Sequence, residues 1–115
     1  MQRFNVVILP RAEEDIERNA TWWAENRDAA QAVEWFFTVR RQILSLETMP
    51  EIHGLSAEND DFPYEIRDRL IGLGSRRSYR AVFTIRGDTV YVLAVLRTTQ
   101  DALRPTDVDL LPGVE

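Results

Sequence analysis

Apolar and polar positions alternate along residues 79–86, with Tyr79, Ala81, Phe83 and Ile85 in one row and Arg80, Val82, Thr84 and Arg86 in the other. A period of two marks a strand with two different faces. Gly87-Asp88 follows as a two-residue turn, because glycine tolerates positive φ and aspartate bonds the local backbone. Residues 89–96 (TVYVLAVL) return as a β-branched, apolar run on both faces, a composition that belongs inside a sheet. The hairpin over residues 79–97 is therefore expected at the sheet's centre. Residues 4–9 read as a further strand ended by Pro10. Residues 64–70 read as another, with Tyr64, Ile66 and Leu70 on one face and Glu65, Arg67 and Arg69 on the other.

Between the first strand and these, the period lengthens to that of a helix. Pro10 stands at a helix start, and Glu13, Glu14 and Asp15 put negative charge in the first turn, where the helix dipole favours it. Ala12, Ile16, Ala20 and Trp23 share one face, and the pattern fades at Asn26-Arg27-Asp28. A second helix carries Ala29, Val33, Phe36, Phe37, Ile43 and Leu44 at spacings of three and four, and Met49-Pro50 ends it. The short link predicts a helical hairpin. Residues 51–63 are rich in breakers, and residues 72–78 form a loop carrying Arg76 and Arg77. The order predicts an α+β fold: an N-terminal strand, then a helical hairpin packed on one face of a mainly antiparallel sheet that ends in a three-stranded meander. One domain over residues 1–115 accounts for the whole, with 105–115 as a tail.

Composition adds few surprises. The 115 residues are 44% hydrophobic and 29% charged, an ordinary globular balance that can bury roughly two thirds of the unfolded surface. No cysteine is present, which removes disulfide and thiolate chemistry. The apolar run at residues 6–9 is too short for a signal core or a membrane span, so a cytoplasmic protein without membrane association is expected. Charge changes the picture more. Every basic residue is arginine, and the net charge of −5 is unevenly spread. Residues 1–63 hold 6 arginines against 12 carboxylates, whereas residues 64–104 hold 8 against 4. A basic sheet region on an acidic body points to an anionic partner for the sheet.

Candidate chemistry is sparse. His53 stands alone in a breaker-rich loop and, with no cysteine, makes no zinc site; no metal or cofactor is expected. Glu58-Asn59-Asp60-Asp61 lacks calcium-loop spacing and reads as a solvated acidic turn. Tyr79, Trp22, Trp23 and Trp35 read as core or helix-packing aromatics before stacking platforms. Arg67, Arg80 and Arg97 have two open readings. They are either phosphate-type or target-facing cations, or solvated strand residues paired with Glu65, Asp68 and Asp101. Arg80, opposite the row of Tyr79, Ala81, Phe83 and Ile85, is expected on the surface.

The segments LPRAEEDIERNATWWAE, LETMPEIHG, YEIR and RSYRAVFTIRGDTVYVLAVLRTTQDAL together resemble the RelE/ParE superfamily, the toxins of type II toxin–antitoxin modules once called plasmid stabilisation proteins. The resemblance runs from about Phe4 to Leu103. It implies a small bacterial toxin held inactive by a cognate antitoxin, with no sequence-specific DNA binding by this chain alone. Some members poison DNA gyrase, and others cleave mRNA on the ribosome without a metal. A nuclease needs a general base, a general acid and cations for the scissile phosphate. For that branch the resemblance offers Arg67, Arg80 and Glu65 as catalytic candidates, with Thr98 where a histidine is frequent. For the ParE-like branch, Arg67, Arg80 and Arg97 are target-binding candidates. Depleted proton-transfer groups favour the ParE-like branch, whose target is a protein; an mRNA endonuclease and a non-toxic partner-binding member stay as alternatives.

Overall fold

A computed structural model describes residues 2–75, 77–100 and 102–112. Two helices lie on one face of a four-stranded mixed sheet. The elements are β1 (Asn5–Ile8), α1 (Pro10–Asn26), α2 (Ala29–Leu44), β2 (Arg67–Ile71), β3 (Tyr79–Arg86) and β4 (Thr89–Arg97), with short 3₁₀ turns between them. The sheet order is β1-β4-β3-β2; β1 runs parallel to β4, and the other pairs are antiparallel. The expected α+β architecture and central hairpin are present, and Gly87 takes the positive φ (58°) that its turn requires.

Helix boundaries follow from local chemistry. Pro10 opens α1, and Asp28 caps α2 by accepting the backbone N–H of Gln31 at 2.7 Å. The buried stripe of α2 is Ala32, Trp35, Val39 and Ile43; of the row expected from spacing, Ile43 is buried and Phe36 packs against the core, whereas Val33, Phe37 and Leu44 face outward. Both rows fit a helical period, and the one that carries Trp35, fully buried, faces the sheet. Val33 and Phe37 are left 56% and 61% exposed. Asp15, expected as a first-turn charge, is fully buried instead. It accepts the N–H of Val95 at 2.9 Å and bonds Arg11 and Arg18, pinning α1 to β4 beyond the end of β1.

The sheet is covered on both faces. Between the helices and the sheet, Ile16, Trp35, Val39 and Ile43 of the helices pack with Tyr79, Phe83 and Val92 of the sheet. On the far face Leu9, Phe62, Ile66, Val82, Leu93, Leu96, Leu103 and Leu111 form a second core. A bulge where Val82–Phe83 meets Val92 and Ala94 turns Leu93 into that second core. The described part of the expected tail, residues 105–112, is folded onto this face. Asp109 accepts the backbone N–H of Arg11 at 2.8 Å, and the carbonyl of Asp107 accepts from the Arg11 guanidinium at 2.6 Å. The expected strand 64–70 begins later, at Arg67, and Leu70 is 54% exposed because the second cover stops short of it.

Candidate functional site

Antiparallel register decides which sequence candidates share a surface. Arg67 pairs with Phe83 and Leu70 with Arg80, so Arg67 points to the helix side of the sheet and Arg80 to the far side. They cannot close on one phosphate. Arg67 is moreover occupied: Nη1 donates to the carbonyls of Glu51 (3.2 Å) and His53 (2.5 Å), and Nη2 pairs with Glu65 at 2.9 Å. Glu65 is in turn held by Arg67 rather than poised beside a free cation.

Arg80 is not the surface residue its alternation suggested. It is only 8% exposed, because the far face it points to is itself covered. Its guanidinium donates to both oxygens of Glu58, to Asp68 at 3.1 Å and to Ser56 Oγ at 3.2 Å. Glu58, expected in a solvated acidic turn, is 6% exposed and also accepts the N–H of Leu103 at 2.8 Å. Burial works against the charge on Arg80, but the hydrogen bonds and charges of Glu58 and Asp68 outweigh it and hold the guanidinium firmly protonated. Hydrogen bonding from Arg80 is the largest influence on Glu58 and, against the burial that opposes it, keeps this carboxyl below its ordinary value. Three segments meet at this cluster: the 56–61 loop, β3 with its neighbour β2, and the chain beyond β4.

Arg97 stands differently. It pairs with Tyr79 in the β3–β4 ladder and so emerges on the helix side, at the end of the sheet beside α1. Its guanidinium carbon lies 4.2 Å from the ring centre of Trp22 and 6.0 Å from that of Tyr79. Trp23 Nε1 donates to the Tyr79 hydroxyl at 3.1 Å, which fixes the aromatic wall. A cavity of about 260 Å³ opens here, lined by Trp22, Trp23, Arg27, Arg97 and the hydroxyl residues Ser78, Thr98 and Thr99. Among the described residues no carboxylate pairs with Arg97 or Arg27. Of the three arginines singled out in the sequence, Arg97 alone has a side chain that makes no ion pair or hydrogen bond with a described residue. Its aromatic seat was beyond sequence reading, since Trp22 lies some 75 residues away.

Two further points complete the inventory. His53 sits edge-on to Phe83, with ring centres 6.0 Å apart; burial first, then the charges of Arg69 and Arg67, lower its pKa below the usual 6.5. Asp101 and Arg76 lie outside the described residues. Among the described residues no cluster of three or more histidine or carboxylate side chains could hold a metal, and no helix is long and apolar enough to cross a membrane.

Comparison with known proteins fits this geometry. Residues 6–102 match the family model described as ParE toxin of type II toxin-antitoxin system, parDE. No curated protein matches. Among solved structures, the chromosomal ParDE TA system from P. aeruginosa superposes at TM-score 0.67 with 15% identity, covering 83% of this chain and 96% of that one. At that identity the superposition establishes a common fold.

Proposed function

We propose, from the premise that the chain belongs to the ParE toxin family of type II toxin–antitoxin systems, that it arrests growth by binding a protein target, DNA gyrase, in the cytoplasm, and that a cognate antitoxin neutralises it. The observation that carries this reading is the separation of the would-be nuclease groups. Arg67 and Arg80 occupy opposite faces, both are engaged, and Glu65 is tied to Arg67. General acid–base cleavage of RNA requires proton-transfer groups within hydrogen-bond reach of a phosphate held by free cations. Arg97 can bind but, remaining charged near neutral pH, cannot shuttle a proton. Recognition through Arg97 and its aromatic seat fits a binding toxin.

For the antitoxin, the outer stripe of α2 offers Val33, Phe37 and Leu44, spaced by four and seven residues and all exposed. An amphipathic antitoxin segment laid across it would cover these residues. The test is induction of the chain alone with labelled thymidine and methionine supplied together. Thymidine incorporation is expected to fall first; a prior fall in methionine incorporation would overturn the gyrase reading.

A further inference from the structure

The pocket beside Arg97 carries information about the chemistry of what it receives. Arg97 uses the face of its guanidinium against Trp22, at 4.2 Å, which leaves the in-plane N–H groups for a ligand. None of those groups donates a hydrogen bond to a described residue. Arg27, one residue past the end of α1, brings a second positive charge to the same cavity and offsets the negative end of the α1 dipole. The rim is hydroxylic: Ser78, Thr98 and Thr99 line it, and Thr98 N–H donates to the carbonyl of Ser78 at 2.9 Å, holding the two strand ends in place. The back wall is indole and phenol, fixed by the Trp23–Tyr79 hydrogen bond.

Two cations, three hydroxyls and aromatic walls suit an anionic head on a short apolar stem. Size and charge narrow the class. A cavity of about 260 Å³ admits one or two side chains, not a run of nucleotides. A carboxylate fits the guanidinium fork bidentately, and its methylenes pack on the indole. We propose that this pocket receives an aspartate or glutamate side chain from an acidic segment of a protein partner, with Arg97 as the clamp and Arg27 as the supporting charge. This deepens the reading of the chain as a toxin that works by binding protein, and rests on it for the identity of the partner's class.

The test uses the full-length ¹⁵N-labelled chain and four probes: the peptide acetyl-Asp-Glu-Asp-Glu-amide, its amide counterpart acetyl-Asn-Gln-Asn-Gln-amide, inorganic phosphate and AMP. The acidic peptide is expected to shift the indole N–H resonances of Trp22 and Trp23 saturably, and the amide peptide to leave them in place. R97Q should weaken the acidic peptide by about tenfold or more, the worth of a charge-assisted hydrogen bond. R97K, which keeps the charge and loses the fork, should fall between. Equal binding by R97Q with its melting temperature unchanged, equal shifts from the amide peptide, or no shift from the acidic peptide would each overturn the proposal. Tighter binding of phosphate or AMP than of the acidic peptide would also overturn it, in favour of a phosphate site. Growth arrest by the induced chain is scored separately. An arresting chain that ignores the peptide refutes the pocket alone, whereas a chain that binds the peptide through Arg97 and arrests nothing upholds the pocket and refutes the toxin.

Discussion

Replacing Arg80 with alanine removes the cation that three acceptors share, Glu58, Asp68 and Ser56. Glu58 keeps a 7% exposed side chain and Asp68 a 22% exposed one, and Ser56 Oγ loses its donor. Breaking a buried ion pair by deleting one partner costs about 3–5 kcal/mol, because the remaining charge stays buried without compensation. The N–H of Leu103 depends on the same Glu58 carboxylate, so the cover of the far face loosens with it. For a domain of this size each kcal/mol moves the melting temperature by roughly 4 °C, which predicts a fall of about 12–20 °C. An exposed strand arginine would give under about 1 kcal/mol.

Urea denaturation of wild type and R80A gives the free-energy difference directly, and repeating it across pH tests the cause. Arg80 is what chiefly holds the Glu58 pKa below 4.5. A carboxyl whose folded pKa is depressed contributes stability that is present above its unfolded value and is lost as pH falls through the folded pKa. Wild type therefore loses this contribution below about pH 4.5. R80A has little of it to lose, so the gap between the two proteins narrows on acidification. An R80A protein within about 1 kcal/mol of wild type at pH 7, with an unchanged denaturant slope, would refute the reasoning.

NMR titration of His53 should give a pKa below 6.5, so its neutral preference adds stability above that pH that is lost as pH falls from 6.5 through the folded value; R69Q should move the pKa upward, and a wild-type value at or above 6.5 would contradict its placement. Met49 holds a left-handed conformation (φ 51°) while nearly half exposed, so Met49→Gly should raise stability by about 0.5–1 kcal/mol in thermal denaturation, relief of backbone strain exceeding glycine's entropy cost. Phe37→Glu should leave the melting temperature of the free chain unchanged and abolish the upward shift that saturating antitoxin gives the wild type. A retained shift would move the antitoxin away from α2.

The hairpin at residues 79–97 was legible because alternation, a glycine turn and an all-apolar return strand agree with one another. The start of α1 was legible through Pro10, whereas α2 stops at Leu44, short of the Met49-Pro50 end expected from the sequence, because separate 3₁₀ turns take over from Ser45. Three further features were not legible. Alternation separates the two faces of β3 but cannot say whether the second face is covered, which is why Arg80 was expected outside. The apolar content of β4 on both faces already pointed to a second cover, yet the segments that supply it, residues 55–66 and 103–111, have no period to read. On α2 two apolar stripes compete, and the one that carries Trp35 is buried. At the candidate site the arginines stood out, but their partners did not. Glu58 reaches Arg80 across 22 residues, and Trp22 reaches Arg97 across 75.

The central claim, that this ParE-family chain acts by binding and not by cutting RNA, is tested most directly by primer extension on a defined mRNA in a purified translation system with excess toxin. With Arg67 and Arg80 on opposite faces and both engaged, no positioned cleavage is expected, and full-length product should persist. Cleavage in the ribosomal A site that is abolished by Glu65→Gln or His53→Gln would contradict the account and make that residue the base.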